Sequence, residues 1–169
     1  MGARRSAAAF LAVVTIGLGA SAHAASPADP YEALKRFDGV WRVTTSTGRN
    51  QTVENHCART GLFFVCEQAV GGEAAALVVF LPKGRKEGGE TYRIQTLTAA
   101  GDAPRPWRQL TIDGDRWTYG DGEGGRAKGR HERVINTFSG PDYIHYETQV
   151  STDGETWTTT RSGDEHRGP

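Results

Sequence analysis

The chain has 169 residues, with 20 basic and 20 acidic side chains and a formal net charge of zero at pH 7. This length suits a single domain. Because the charges are balanced and interspersed, nothing in the composition favours binding to nucleic acid or to an anionic membrane surface. We therefore expect no nucleic acid partner.

The first 24 residues have the pattern of a cleavable secretory signal peptide. Arg4 and Arg5 precede an apolar stretch over residues 7–20, and Ala22-His23-Ala24 gives an A-x-A cleavage pattern. A membrane anchor is the alternative, but a spanning helix needs about 20 apolar residues. We predict cleavage before Ala25, a periplasmic or secreted bacterial protein, and no integral membrane segment after cleavage.

The two cysteines of the chain are Cys57 and Cys66. In an oxidising compartment, two cysteines this close in the chain usually pair. The intervening residues 58–61 are typical of a turn, so the bridge would staple a hairpin. A redox pair is the alternative, but the spacing is not C-x-x-C. The pattern therefore favours a structural disulfide.

A short helix is predicted before the first strand. Residues 25–30 form a polar leader, after which Tyr31, Leu34 and Phe37 recur every three residues. This apolar spacing predicts about two helical turns. Asp38-Gly39 ends them, so the leader and helix occupy residues 25–38.

Beyond the helix the apolar period becomes two, which is typical of strands. Short strands separated by turn residues, such as Asp113-Gly114 and Asp153-Gly154, predict an antiparallel meander, and Pro82–Glu90 is predicted to be a charged loop. The ten predicted strands are Gly39–Thr45, Arg49–Cys57, Gly61–Val70, Ala75–Leu81, Tyr92–Thr98, Trp107–Ile112, Arg116–Tyr119, Lys128–Phe138, Tyr143–Ser151 and Thr156–Arg161.

A meander this long usually closes into a barrel, because closure removes exposed strand edges. We therefore predict an all-β, up-and-down antiparallel barrel over residues 39–162, followed by a flexible tail over residues 163–169. A β-sandwich is the alternative architecture.

The segment Gly39-Val40-Trp41 resembles the G-x-W start of lipocalins and their calycin relatives, which also follows a short helix. In that family the Trp packs at the closed end of the barrel, and an Arg from a late strand lies across it. The resemblance implies these structural roles for Gly39, Trp41 and Arg161. An indole and a guanidinium stack favourably, which suits the sealing of an apolar barrel floor.

The wider pattern also resembles exported bacterial lipocalin-like domains of unknown function. The resemblance implies a fold more than an activity. The residues that carry it are Phe37–Trp41, His56-Cys57, Phe63–Glu67, Gly114–Tyr119 and Ser151–Trp157.

The orientation of His145 depends on the register of its strand. His145 alternates with Tyr143 and Glu147, while Ile144 and Tyr146 belong to the opposite, more apolar set. If the apolar set faces inward, His145 is exposed and inert. In the reverse register His145 lines the cavity as a polar or haem-ligating group.

No motif in the sequence indicates catalysis, a metal or a cofactor, so we assign no catalytic or metal-binding residue and expect no cofactor. The segment Ser151–Trp157 is similar to the Asp-box turn of sialidase-type propellers. It is one residue short and occurs once, so it indicates a hairpin turn and not a glycosidase.

The favoured function is a barrel that binds a small apolar or amphipathic molecule. One alternative is a barrel enzyme that uses an inward His/carboxylate pair, and another is an envelope interaction protein without a pocket. The candidate residues for lining the ligand site are Tyr92, Ile94, Trp117, Tyr119, His145 and Tyr146.

Overall fold

The structure, a computed structural model, describes residues 29–86, 89–121 and 129–169. The predicted signal peptide, residues 1–24, lies outside the described residues. In the described part of the chain, no helix is long and apolar enough to cross a membrane. A 3-10 helix over Ala33–Phe37 precedes the strands, which are β1 (Gly39–Thr45), β2 (Asn50–Thr60), β3 (Phe63–Val70), β4 (Glu73–Lys86), β5 (Gly89–Thr98), β6 (Arg108–Asp113), β7 (Arg116–Asp121), β8 (His131–Phe138), β9 (Tyr143–Ser151) and β10 (Thr158–Arg167).

The ten strands form a closed antiparallel barrel. Each strand pairs with the next in the chain, and β1 pairs with β10 to complete the circle. The predicted all-β meander and its closure are confirmed, and the alternative sandwich is wrong. This architecture fits a lipocalin-like, calycin-type fold.

The helix before β1 is a 3-10 helix, so the expectation of ordinary helical turns is corrected. Leu34 donates its backbone N–H to Tyr31, and Asp38 donates its N–H to Lys35, so the hydrogen bonds span three residues. The apolar spacing of Tyr31, Leu34 and Phe37 is also three, which matches the three residues per turn of a 3-10 helix.

The predicted tail over residues 163–169 is wrong for most of its length, because β10 continues to Arg167. Glu165, for example, pairs with Val43 of β1 on one side and Ile144 of β9 on the other. Polar residues form a strand here because pairing on both sides satisfies their backbone groups. In the predicted loop over Pro82–Glu90, the described residues 82–86 and 89–90 instead form the extended ends of β4 and β5.

One end of the barrel is filled with side chains. Directly paired residues of an antiparallel sheet project from the same face, so the register places one set of alternating residues inside the barrel. At this end the inward residues are almost completely buried, and we call this set the filled half. Its members are Trp41, Phe64, Phe80, Tyr92, Ile94, Leu110, Ile112, Trp117, Phe138 and Ile144.

The 3-10 helix covers the filled half. The Tyr31 ring stacks on Phe64 with the centroids 5.7 Å apart. At the other side of the helix, Phe37 lies 6.3 Å from Trp117. Aromatic pairs at these distances add to the apolar burial. The helix therefore closes the base of the barrel.

Arg167 lies over the Trp41 ring, with the guanidinium carbon 4.3 Å from the centroid. Its Nη1 donates to the Asp38 carbonyl at 2.6 Å and its Nη2 to the Arg36 carbonyl at 2.9 Å. Its Nε donates to the Pro141 carbonyl at 3.2 Å. One side chain thus joins the last strand, the first strand, the 3-10 helix and the β8–β9 turn.

The Arg that covers Trp41 is therefore Arg167, and the prediction of Arg161 for this role is wrong. Arg161 is exposed and pairs with Thr148 beside a bulge in β10. It lies six residues from Arg167, which is about 20 Å along an extended strand. The error follows directly from ending the last strand too early.

The Gly of the G-x-W segment is required by the close approach of Arg167. Gly39 has φ +114°, and a Cβ at this position would lie 2.6 Å from Arg167 Nη1. Any larger residue would be strained and would push the guanidinium away from its carbonyl partners. The predicted structural roles of Gly39 and Trp41 thus have a geometric basis.

The predicted disulfide between Cys57 and Cys66 is confirmed. The two residues are directly paired in β2 and β3, and Cys66 is buried in the core. The Cys57 backbone N–H donates to the Asp38 carboxylate at 2.7 Å. Strand β2 runs on to Thr60, so the predicted turn over residues 58–61 is displaced toward residues 61–62.

We expect Arg167→Ala to lower the free energy of unfolding by about 2–4 kcal/mol, because it removes several charge-assisted hydrogen bonds and the contact with Trp41. Urea unfolding of the oxidised protein measures this loss. Arg161→Ala is the control, and its effect should stay within about 0.5 kcal/mol. Equal losses for the two variants would contradict the assignment.

Candidate functional site

The end of the barrel opposite the 3-10 helix is less completely buried than the filled half. Several inward residues of the middle and far parts of the strands are only half-buried. An inward side chain of a closed barrel contacts solvent only through the interior, so these residues mark an accessible lumen. Six of them are Val53, Gln68, Thr96, Val134, Thr148 and Val150.

Tyr146 lies flat against the lumen wall because its neighbour is a glycine. Tyr146 pairs directly with Gly163 of β10. A Cβ on Gly163 would lie 2.6 Å from Cε1 of Tyr146 and 2.5 Å from the Thr44 carbonyl oxygen. Gly163 therefore accommodates the Tyr146 ring at the wall, and a larger residue would force that ring into the lumen.

Two buried polar atoms in β7 have no hydrogen-bond partner among the described residues, namely Trp117 Nε1 and the Tyr119 hydroxyl. Tyr119 is inward, because it pairs with Leu110 on one side and Val134 on the other. Leaving such a group unpaired costs about 1–3 kcal/mol. A molecule in the lumen that pairs with the Tyr119 hydroxyl would remove this penalty.

Glu165 places a carboxyl group inside the barrel. Its strand neighbours are Val43 and Ile144, both buried and inward. Burial raises the pKa of Glu165 to about 7 from its ordinary value of 4.5. This carboxyl group therefore changes its charge near neutral pH.

The lumen also has positive charge near its mouth. Arg108 is half-buried, and its guanidinium donates to the backbone carbonyls of Tyr119 at 3.3 Å and Gly120 at 3.5 Å. Arg161 of β10 is exposed and pairs with the inward Thr148. Ionisable groups of both signs thus lie near the mouth, since Asp121 pairs with Arg108 and Glu132 pairs with the inward Val150, whereas Glu165 lies near the filled half.

The β9–β10 connection is a rigid part of the rim. The Asp153 carboxylate accepts the backbone N–H groups of Thr156 and Glu155, both at 2.8 Å, and lies 2.8 Å from the Ser151 hydroxyl. These hydrogen bonds, led by that from Thr156, lower the pKa of Asp153. The predicted two-residue turn at Asp153-Gly154 is instead a loop over residues 152–157.

A recess of about 610 Å³ lies beside this loop. Its lining includes Asp153 and Arg130 together with Val150, which is an inward residue of β9. The Arg133 guanidinium packs 4.0 Å from the centroid of the Trp157 ring and supports the loop from the outer side. The recess therefore adjoins the mouth of the barrel.

The candidate ligand-binding residues divide between the two halves. Tyr119 and Tyr146 line the lumen. Tyr92, Ile94 and Trp117 are inward but belong to the filled half, where they are at most 5 % exposed. The phenol oxygen of Tyr92 also lies 2.5 Å from the Pro30 carbonyl oxygen, which ties it to the base.

The inclusion of His145 among the lumen residues is wrong. It pairs with Asp164, and its alternate neighbours Ile144 and Tyr146 face inward, so its ring lies on the outer surface. There His145 Nδ1 contacts the Asp164 carboxylate at 2.9 Å. The same carboxylate accepts the Tyr143 hydroxyl at 2.5 Å. The apolar set decided the register, as the first of the two alternatives required.

Glu165 is among the lumen residues that the sequence analysis missed. No apolar alternation marks its strand, because the inward positions are Gly163, Glu165 and Arg167, in the segment assigned to a tail. Within residues 29–86, 89–121 and 129–169, no group of three or more His, Cys, Asp and Glu side chains is arranged to hold a metal ion.

No protein-family model matches the chain, and no curated protein matches it. One solved structure that does align with it is described as EF1p2_mFAP2b bound to DFHBI. That alignment has 14 % identity, covers 83 % of this chain and 100 % of the other, and gives a TM-score of 0.31. At that TM-score the likeness carries no argument about this chain.

The raised pKa of Glu165 predicts that its ionisation opposes folding. The folded protein holds this proton more tightly than the unfolded chain, so the contribution of Glu165 to stability is lost as the pH rises from 4.5 to about 7. Glu165→Gln should therefore become more stabilising as the pH rises, by up to about 3 kcal/mol above neutral pH.

Urea unfolding of both proteins at pH 4.5, 6 and 8 measures this difference. Glu147→Gln on the outer face of β9 is the matched control, and its effect should not follow the same pH course. The difference in the free energy of unfolding between Glu165→Gln and the unsubstituted protein should change with pH. A difference that is constant with pH would contradict the raised pKa of Glu165.

Proposed function

We propose that this chain is an exported bacterial lipocalin-like protein that binds a small apolar or amphipathic molecule in the open half of its barrel. The observation that carries the proposal is the division of the interior. Inward residues such as Trp117 and Ile144 are completely buried, whereas Val134 and Thr148 on neighbouring strands remain accessible. A largely preformed apolar cavity with a few polar groups is the usual form of a small-molecule site.

Export to the periplasm or the medium is supported by two features. The first 24 residues have the signal-peptide pattern, and the Cys57–Cys66 disulfide is consistent with an oxidising compartment. A ligand carrier in that compartment would have to protect an apolar molecule from water, which a lumen closed at one end can do.

Catalysis by an inward His/carboxylate pair has no support in this geometry. The His145–Asp164 pair is on the outer face, and Glu165 has no histidine beside it among its strand partners. The third hypothesis, an interaction protein without a pocket, would rest on the exposed Leu62 and Phe63 at the β2–β3 turn. Two residues are a small patch for that purpose.

Filling the lumen should weaken ligand binding. Thr148 faces the lumen between Val134 and Arg161, and the adjacent Gln149 faces outward. With N-phenyl-1-naphthylamine as a neutral fluorescent probe, Thr148→Phe should weaken binding by about tenfold or more, since a benzyl group occupies much of a small cavity.

Gln149→Phe is the matched control, because it adds the same ring one residue away on the opposite face. It should bind the probe like the unsubstituted protein, and circular dichroism should show that both variants are folded. Unchanged binding by Thr148→Phe, or equal losses in both variants, would mean that the probe does not enter the lumen.

A further inference from the structure

Glu165 is an unpaired carboxylate in the interior of the protein. Among the residues that the structure describes, none forms a hydrogen bond or ion pair with its side chain, and desolvation is the sole cause of its raised pKa. The other inward groups at its level are the apolar side chains of Val43 and Ile144. An unpaired charge in such surroundings is costly, and a cation placed beside it would offset that cost.

Two phenols face the lumen near Glu165. Tyr146 pairs with Gly163, the next inward residue of β10 toward the mouth, and Tyr119 belongs to the inward set that includes Val134 and Thr148. Burial, followed by the nearby Glu165 carboxylate, raises the pKa of both Tyr119 and Tyr146. The Tyr119 hydroxyl has no partner among the described residues. The three side chains thus offer a carboxylate and two phenol oxygens, all of which can accept hydrogen bonds.

No protein cation neutralises Glu165. Arg167, two residues further along β10, is engaged by backbone carbonyls at the base and by the Trp41 ring. Arg108 interacts with Tyr119, and Arg161 with Tyr146, but neither contributes to the pKa of Glu165. On the outer face, Asp164 and His166 project away from the lumen, as their pairing with His145 and Tyr143 requires.

We propose that the ligand of this barrel is an amphipathic amine, whose apolar body fills the open half and whose protonated nitrogen pairs with Glu165 and the hydroxyl oxygens of Tyr119 and Tyr146. This inference rests on the proposed ligand-binding function. An ammonium group has three N–H donors and no acceptor, which complements three acceptors. Hydrogen bonds between charged partners are also roughly twice as strong as neutral ones.

Three probes of equal chain length test this assignment, namely octylamine, octan-1-ol and octanoate. Each is titrated at pH 8 by isothermal calorimetry and by displacement of N-phenyl-1-naphthylamine. The amine should bind at least about tenfold more tightly than the alcohol, which is the effect of one charge-assisted hydrogen bond. Octanoate should bind more weakly than the alcohol, because its charge repels that of Glu165.

Glu165→Gln should remove the preference for the amine and leave binding of the alcohol within about threefold of its original value, since the shape of the side chain is kept. Glu147→Gln, which makes the same change on the outer face of β9, should keep the preference. In the unsubstituted protein the preference should also fall as the pH is lowered from 8 to 5.5, because Glu165 becomes protonated. Octylamine stays charged over that range, as alkylammonium pKa values are about 10.

The possible outcomes separate the two proposals. If octanoate binds best, the arginines near the mouth, Arg108 and Arg161, determine the ligand class and the assignment to amines is wrong. If the amine preference survives Glu165→Gln and is independent of pH, the assignment is also wrong although the barrel binds ligands. If the fluorophore binds but none of the three probes displaces it or binds by calorimetry, the assignment to amines is wrong. If neither the fluorophore nor any of the three probes binds, the proposed ligand-binding function itself fails.

Discussion

The contact between Arg167 and Trp41 is the constraint on which the rest of this structure depends. The guanidinium lies against the ring and donates to the carbonyl oxygens of Arg36, Asp38 and Pro141, so it fastens the end of β10 to the start of β1 and to the 3-10 helix. Because a barrel of ten strands is held by the pairing of its first and last members, this cluster closes the circle and the base at once. Among the described residues, aromatic packing seals the base, and the interior opens at the opposite end.

Strand β10 then positions the groups that we assign to function. Its inward residues succeed one another from the mouth to the base as Gly163, Glu165 and Arg167. Gly163 accommodates the Tyr146 ring at the wall, Glu165 brings a carboxyl group to the floor of the lumen, and Arg167 locks the base. The stability of the barrel and the chemistry of its interior therefore come from alternate positions of one strand.

Much of the fold could be predicted because period-two alternation is strong where one face is apolar. In β9 the inward Ile144 and Tyr146 fix the register and place His145 outside, although the sequence analysis left both registers open and counted His145 among the lumen residues. The polar sequence of residues 162–167 has no such signal, since its strand conformation comes from pairing with two neighbours far apart in the chain. Because the last predicted strand ended at Arg161, the role of covering Trp41 was assigned to Arg161 in place of Arg167. For the same reason, Glu165 was not placed in a strand. The separation of filled and open halves depends on strand stagger and on where the 3-10 helix docks against the barrel, and local patterns encode neither.

A crystal structure of residues 25–169 at high resolution is the most direct test of whether the barrel is hollow from its mouth to Glu165. A hollow barrel should show ordered water or a bound molecule in contact with the Tyr119 hydroxyl and the Glu165 carboxylate. The cavity that holds it should be continuous with the mouth of the barrel. Side chains that pack without a gap from Ile144 to Val150 across the interior would contradict a ligand-binding lumen.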